Sequence, residues 1–300
     1  MRKLFLLFIS ISVLIACSND EKFANTSINE ASTPLAKFSN FLNSLDSTKA
    51  ESINAALEYF EVNFEKERDS VCDSAYFVFD ELYSKVCQNL EVQIEQDTTD
   101  YVSLFYLDKN GKPIPPSSKI LAFQNKLKKN GYYLNSDGEG GAYIEYDRDF
   151  VNGYFLSKVS QAMKLYLKQI SKETYEGFSA DAELIISEEQ YASRLLFWEK
   201  FLGDYPNFFD KKAIENHQKS ELTFLFTGVD NTPLMEYDSE NTISNYYKTI
   251  YELTEKRNPS GNIATTLRPY YQALLNKDTA TANKIKKEMQ EKGIIENYEY

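Results

Sequence analysis

The chain contains a single histidine, His217, in the polar segment 215–219. Zinc enzymes that use histidine ligands, and serine or cysteine hydrolases that use a histidine base, would all depend on this residue. It lies in neither an HExxH pattern nor a nucleophile elbow, and no glycine-rich loop in the chain resembles a phosphate-binding fingerprint. The sequence therefore predicts an exposed helix residue at position 217, with no catalytic residue, cofactor or metal assigned.

A second group of polar residues has the spacing of a calcium loop. Asn135, Asp137 and Glu139 alternate along the chain, and Gly140 occupies the sixth position of such a loop. The twelfth position, where calcium needs a bidentate glutamate, is Tyr146. These three residues are weak calcium candidates, and the same small and polar residues are what a hairpin turn requires.

Paired carboxylates could support glycoside hydrolysis, which needs two of them on opposite sides of a cleft. Asp147 and Asp149 form one such local pair. The chain has 45 acidic residues, so a local pair carries little information. Asp149 is also explained by its position near a helix start, where a negative charge is favourable. A carboxylate-based hydrolase with its cleft beside the hairpin stays open as an alternative.

The N-terminus contains the pattern with the clearest function. Arg2 and Lys3 precede an apolar run over 4–16, which is the arrangement of a secretory signal peptide. The run has 13 residues, too few to span a bilayer, which takes roughly 20. It ends in Leu14-Ile15-Ala16-Cys17, which resembles the lipobox of bacterial lipoproteins.

This resemblance implies cleavage before Cys17, removal of residues 1–16 and attachment of lipid to the Cys17 thiol. Two or three acyl chains, such as palmitate, would hold the protein at a membrane. The acidic stretch 18–22 is similar to export tags of Bacteroidota-type surface lipoproteins. We therefore expect an outer membrane lipoprotein of the cell envelope, facing either the periplasm or the exterior. The mature body resembles no family of known function.

Composition limits the partners of the mature chain. Loss of residues 1–16 removes Arg2 and Lys3 but no acid, so 33 − 2 = 31 basic residues face 45 acidic ones, a net charge of −14. Such a charge disfavours nucleic acid as a partner. Residues 17–33 are polar and lack hydrophobic periodicity, which predicts a flexible, lipidated tether.

The remaining sequence predicts a mainly α fold, either a multi-helix bundle or a short α-solenoid, with one small β-hairpin. Proline and glycine are absent from 35–110, which permits long helices. Thr48 with Glu51 and Ser187 with Gln190 have the form of capping boxes. Two helical regions are expected, 34–150 and 151–300, and the first ends in a hairpin formed by 132–134 and 142–146.

Cys72 and Cys87 invite a disulfide in an oxidising envelope. Both fall in a predicted helix over 70–93, where 15 residues at about 1.5 Å each separate them by about 22 Å. A disulfide needs Cα atoms within about 7 Å. We therefore expect two buried free thiols.

Two functions remain after these exclusions. The favoured one is a non-enzymatic lipoprotein that binds an envelope protein or a glycan, and the alternative is the carboxylate-based hydrolase acting on glycan. The chain contains 20 Phe and 22 Tyr, which at helical spacing belong mostly to a core. A binding role predicts that some of them gather at an exposed patch or cleft.

Replacement of the lipobox cysteine tests the anchor. Cys17→Ala should abolish incorporation of labelled fatty acid and leave an uncleaved or soluble product, because the acyl acceptor is gone. Metabolic labelling and membrane fractionation measure both effects. Normal labelling and normal fractionation of the variant would contradict lipidation at Cys17.

Overall fold

The computed structural model describes residues 33–236 and 242–297. In these ranges the chain forms eleven α-helices and three two-stranded antiparallel sheets, which confirms a mainly α fold with a small hairpin. The predicted signal peptide, Cys17 and most of the predicted tether lie outside the described residues. No helix in the described ranges is both long enough and apolar enough to cross a bilayer.

The first helix begins at Pro34, where the sequence places the start of the folded body, and the Thr33 side chain accepts a hydrogen bond from the Ala36 amide at 3.1 Å. The N-terminal elements are α1 Pro34–Ser44, α2 Glu51–Asn63, α3 Asp69–Gln96, a 3-10 helix Tyr101–Phe105, α4 Ser118–Lys128, β1 Tyr132–Ser136, β2 Ala142–Tyr146, α5 Arg148–Phe155 and α6 Gln161–Glu176. Strands β1 and β2 form the predicted hairpin, with Leu134 opposite Ile144.

The remaining elements are β3 Ser179–Ala180, β4 Glu183–Leu184, α7 Glu188–Asp204, α8 Lys211–Thr227, β5 Gly228–Val229, β6 Thr232–Pro233, α9 Asn245–Arg257, α10 Asn262–Leu275 and α11 Thr279–Glu291. The pairs β3–β4 and β5–β6 were not predicted. Their strands have two residues each, too few for an alternating pattern to be visible in sequence.

The two predicted capping boxes have different outcomes. Ser187 and Gln190 form the reciprocal cap at the start of α7. The box at Thr48 is wrong, because Asp46 accepts hydrogen bonds from both the Thr48 hydroxyl, at 2.6 Å, and its amide, at 3.0 Å. Helix α2 therefore begins without a side-chain cap.

Helix α3 is the centre of the N-terminal half. One stripe of this helix is buried throughout, comprising Cys72, Tyr76, Phe79, Tyr83, Cys87 and Leu90. The hairpin is held against it by the Tyr132 hydroxyl, which donates to the Tyr83 carbonyl at 2.6 Å. On the same side Arg148 pairs with Asp80 at 2.7 Å and stacks over the Tyr146 ring.

Three apolar clusters form the interior. The first contains the α3 stripe and extends along the chain to Leu167, and the second lies among α7 to α11. A third cluster, centred on Trp198, Phe201 and Ile214, packs against α6 and touches the first cluster through Tyr166 and Phe208, which pack on both. Aromatic contacts such as Tyr166–Trp198, at 5.9 Å between ring centroids, connect the two halves.

Cys72 and Cys87 are buried, lie on one helix and are both free, which confirms the prediction. Burial raises the pKa of the Cys72 thiol to about 11 and that of Cys87 to about 12. Since the thiolate is the reactive form, both thiols should be inert in the folded protein.

Alkylation by iodoacetamide at pH 8 should modify Cys72 and Cys87 at least about a hundredfold more slowly in the native chain than in guanidinium, because the thiolate fraction is small and access is blocked. Peptide mass spectrometry measures each site, and the unfolded chain is the control. Fast native labelling, or a peptide linking the two residues by a disulfide, would contradict their burial as free thiols.

Candidate functional site

Helices α6, α7 and α8 bring together a group of charged side chains. We call it the charge cluster: Glu173, Glu176, Arg194, His217 and Glu221. The Arg194 side chain is only 3% exposed and lies 3.3 Å from Glu176 and 3.4 Å from Glu221. Its guanidinium also donates to the Gly177 carbonyl at 3.0 Å. A buried charge of this kind is tolerated only with such partners.

His217 closes the cluster on the solvent side. Its Nε2 lies 3.2 Å from Glu173 Oε2 and 3.2 Å from Glu221 Oε1, and its side chain is 44% exposed. Burial by itself lowers the pKa of His217, but hydrogen bonds and charge from the two carboxylates outweigh this effect and raise the pKa to about 10. Without another cation, the imidazole therefore carries a proton at neutral pH.

Glu173 is held firmly in this arrangement. Its Oε1 accepts hydrogen bonds from Trp198 Nε1 at 2.7 Å and from Gln169 Nε2 at 2.7 Å. Its Oε2 faces His217. The two donors thus fix the carboxylate so that one oxygen is directed at the imidazole.

The sequence predicted His217 as an exposed helix residue, and it is one. What the sequence did not reveal are its two carboxylate partners. Glu221 lies four residues along α8, and i,i+4 residues share a helix face, so this neighbour could have been inferred. Glu173 is 44 residues away on α6 and leaves no local signal.

The calcium candidates do not converge on one point. The Asn135 amide donates to the Tyr143 hydroxyl at 2.8 Å, and Asp137 Oδ1 accepts the amides of Glu139 and Gly141 within the hairpin turn. The Glu139 side chain instead lies beside Asp181, whose negative charge raises the pKa of Glu139. The alternating polar residues thus serve the hairpin turn, in which Asp137 accepts two backbone amides.

A second feature is a cavity of about 410 Å³, the aromatic pocket, between the first turns of α3, the start of α6 and the loop joining α7 to α8. It is lined by Ser70, Asp73, Ser74, Phe77, Ser160, Ala162, Tyr205, Pro206, Asn207, Phe208 and Phe209. Its size is within the usual range for small-molecule sites. Apolar rings and polar side chains thus face the same space.

Phe209 is the most exposed aromatic side chain that the structure describes, at 81%. Its neighbour Phe208 is only partly exposed, because it packs against Tyr166 and Phe201. The Phe209 ring lies 4.7 Å from that of Phe77, measured between centroids. The two rings form an apolar surface at the pocket.

Other exposed aromatics, Phe105, Tyr106 and Tyr175, do not line the aromatic pocket. The pocket groups Phe77, Tyr205, Phe208 and Phe209, of which Phe209 is the exposed one.

The hydrolase alternative needs two opposed carboxylates. The aromatic pocket contains one, Asp73, which accepts the Ser160 amide at 2.8 Å. A second cavity, of about 550 Å³, contains Glu199 and Asp204 from the same helix. Glu199 accepts hydrogen bonds from Asn258 and the Ile263 amide, and Asp204 pairs with Lys200, so both have structural partners. These cavities give the alternative no support.

Comparisons with known proteins add no relative: no protein-family model, no curated protein and no solved structure matches the chain. Function must therefore be inferred from the charge cluster and the aromatic pocket themselves.

Arg194→Met should destabilise the fold by about 3–5 kcal/mol, because it leaves buried carboxylates without their cation. Guanidinium unfolding followed by circular dichroism measures the change. Arg257→Met is the matched control, since Arg257 pairs with the 62% exposed Glu189 at the surface, and its loss should cost less than about 1 kcal/mol. Equal effects of the two substitutions would show that the buried cluster carries no special stability.

Proposed function

We propose that this protein is a membrane-tethered lipoprotein of the cell envelope that binds glycan in the aromatic pocket without catalysing a reaction. The main support for a binding role is that Phe209 is 81% exposed while its ring lies beside that of Phe77 at the pocket. The tether and lipid rest on the Leu14–Cys17 pattern of the sequence.

Chemistry favours a sugar as the occupant. The apolar face of a pyranose ring packs on an aromatic face, while hydroxyl groups need hydrogen-bond partners at the rim. The pocket offers both, since Phe77 and Phe209 lie beside the side chains of Ser74, Asp73 and Asn207.

The charge of the protein narrows the class of glycan. The whole chain carries a net charge of −12, and Asp73 lines the pocket itself. Like charges repel a polyanion, so neutral oligosaccharides are preferred over uronic acid or phosphate polymers.

The position of the pocket is compatible with a tethered receptor. The start of α1 lies near Phe64, since Phe38 and Phe64 have ring centroids 5.3 Å apart. Phe64 in turn contacts Cys72 in the first turns of α3, which also supply Asp73 and Phe77 to the pocket. The pocket and the beginning of the folded body are thus at the same end of α3.

An array of neutral oligosaccharides, followed by isothermal titration calorimetry with the best binder, tests the proposal. Phe209→Ala should weaken binding about tenfold, the effect of losing roughly 1.4 kcal/mol of ring stacking. Because Phe209 is 81% exposed, the variant should keep its melting temperature.

Phe105→Ala is the control for this experiment, as it removes an exposed phenylalanine from another surface. It should leave affinity unchanged. Failure of every neutral oligosaccharide to bind, or binding that Phe209→Ala does not weaken, would overturn the glycan role.

A further inference from the structure

Glu173, His217 and Glu221 have the geometry of a metal-ion site. One ligand atom from each lies within 4.8 Å of the others, and no other such group of three occurs in the described ranges. His217 Nε2 is 3.2 Å from an oxygen of each carboxylate. Ligands at about 2.0–2.1 Å around a tetrahedral ion are separated by about 3.4 Å, so small side-chain adjustments suffice to admit a cation.

The second observation concerns Glu221, whose side chain is 3% exposed. Its Oε1 faces His217 and Arg194, whereas its Oε2 is buried and has no hydrogen-bond partner among the described residues. An unpaired buried carboxylate oxygen is costly, and few such groups occur in native proteins. A cation bound by both oxygens of the Glu221 carboxylate would give Oε2 a partner.

The surroundings of Glu173 match those of a metal ligand. Metal-bound carboxylates are oriented by hydrogen bonds from a second layer of side chains. Trp198 and Gln169 provide such bonds to Oε1 and leave Oε2 for the cation. The 44% exposure of His217 gives the ion a path from solvent and leaves room for a water ligand.

The donor set indicates the class of ion. One imidazole nitrogen with two carboxylates suits zinc and the neighbouring divalent transition metals, whereas calcium and magnesium prefer oxygen ligands alone. Arg194 lies on the inner side of the carboxylates, so the ion would enter at His217 and take the place of its proton.

We propose that Glu173, His217 and Glu221 bind one divalent transition-metal ion, with zinc as its representative. None of these three residues lines the aromatic pocket, so the metal site does not depend on glycan binding there. It does not depend on the lipid anchor either.

Isothermal titration of ZnCl₂ into the purified, chelator-treated protein at pH 8.5, without an added histidine tag, tests the site. We expect one ion per chain. Both His217→Gln and Glu173→Gln keep a polar side chain of similar size. Each should lower the affinity for zinc by about a hundredfold or more. Co²⁺ added in place of Zn²⁺ should give the parent the absorption bands of a four- or five-coordinate ion. Both variants should lack these bands.

Glu215→Gln is the matched control, since Glu215 lies on the same helix, is 50% exposed and pairs with Lys211 outside the cluster. It should bind zinc as the parent does. Circular dichroism melting curves verify that each variant is folded. The proposal is overturned if the parent does not bind zinc. It is also overturned if Glu173→Gln binds zinc as tightly as the parent, because a lone surface histidine would give that result.

Discussion

Burial of one side of α3 is the constraint on which the N-terminal half depends. The helix has 28 residues, and its inward stripe of cysteine and aromatic side chains is covered by α1, α2 and the hairpin. Apolar surface of this extent is stable only when removed from water, at roughly 25 cal/mol per Å². The two tyrosine hydroxyls of the stripe both have acceptors, since Tyr83 donates to the Gly131 carbonyl and Tyr76 donates to the Asp80 carboxylate at 3.3 Å. Large rings are thus buried with their polar ends paired.

The contact between the halves depends on both apolar packing and the pairing of buried charges. Trp198 packs with Tyr166 in the connecting apolar cluster and also donates a hydrogen bond to Glu173. Arg194 and His217 then pair with the carboxylates that α6 and α8 bury. One tryptophan therefore links hydrophobic packing to the orientation of a charged group. Such a network is favourable only when complete, since each missing partner leaves a charge in a low-dielectric environment.

The same three helices frame both proposed sites. The start of α6 and the loop between α7 and α8 border the aromatic pocket, while later residues of α6 and α8 provide Glu173 and His217. In this loop Phe208 packs against Tyr166, whereas Phe209 is largely exposed.

Local patterns in the sequence determined the mainly α class, the hairpin, the cap at Ser187 and the separation of Cys72 from Cys87, because helix period, turn chemistry and chain rise act over a few residues. The lipobox is likewise a local pattern. Tertiary structure alone decided that Asp46 displaces the predicted cap at Thr48, that Phe209 faces solvent and that Glu173 meets His217 from 44 residues away. Those outcomes depend on how helices pack, and packing brings together residues whose separation in the chain carries no periodic signal.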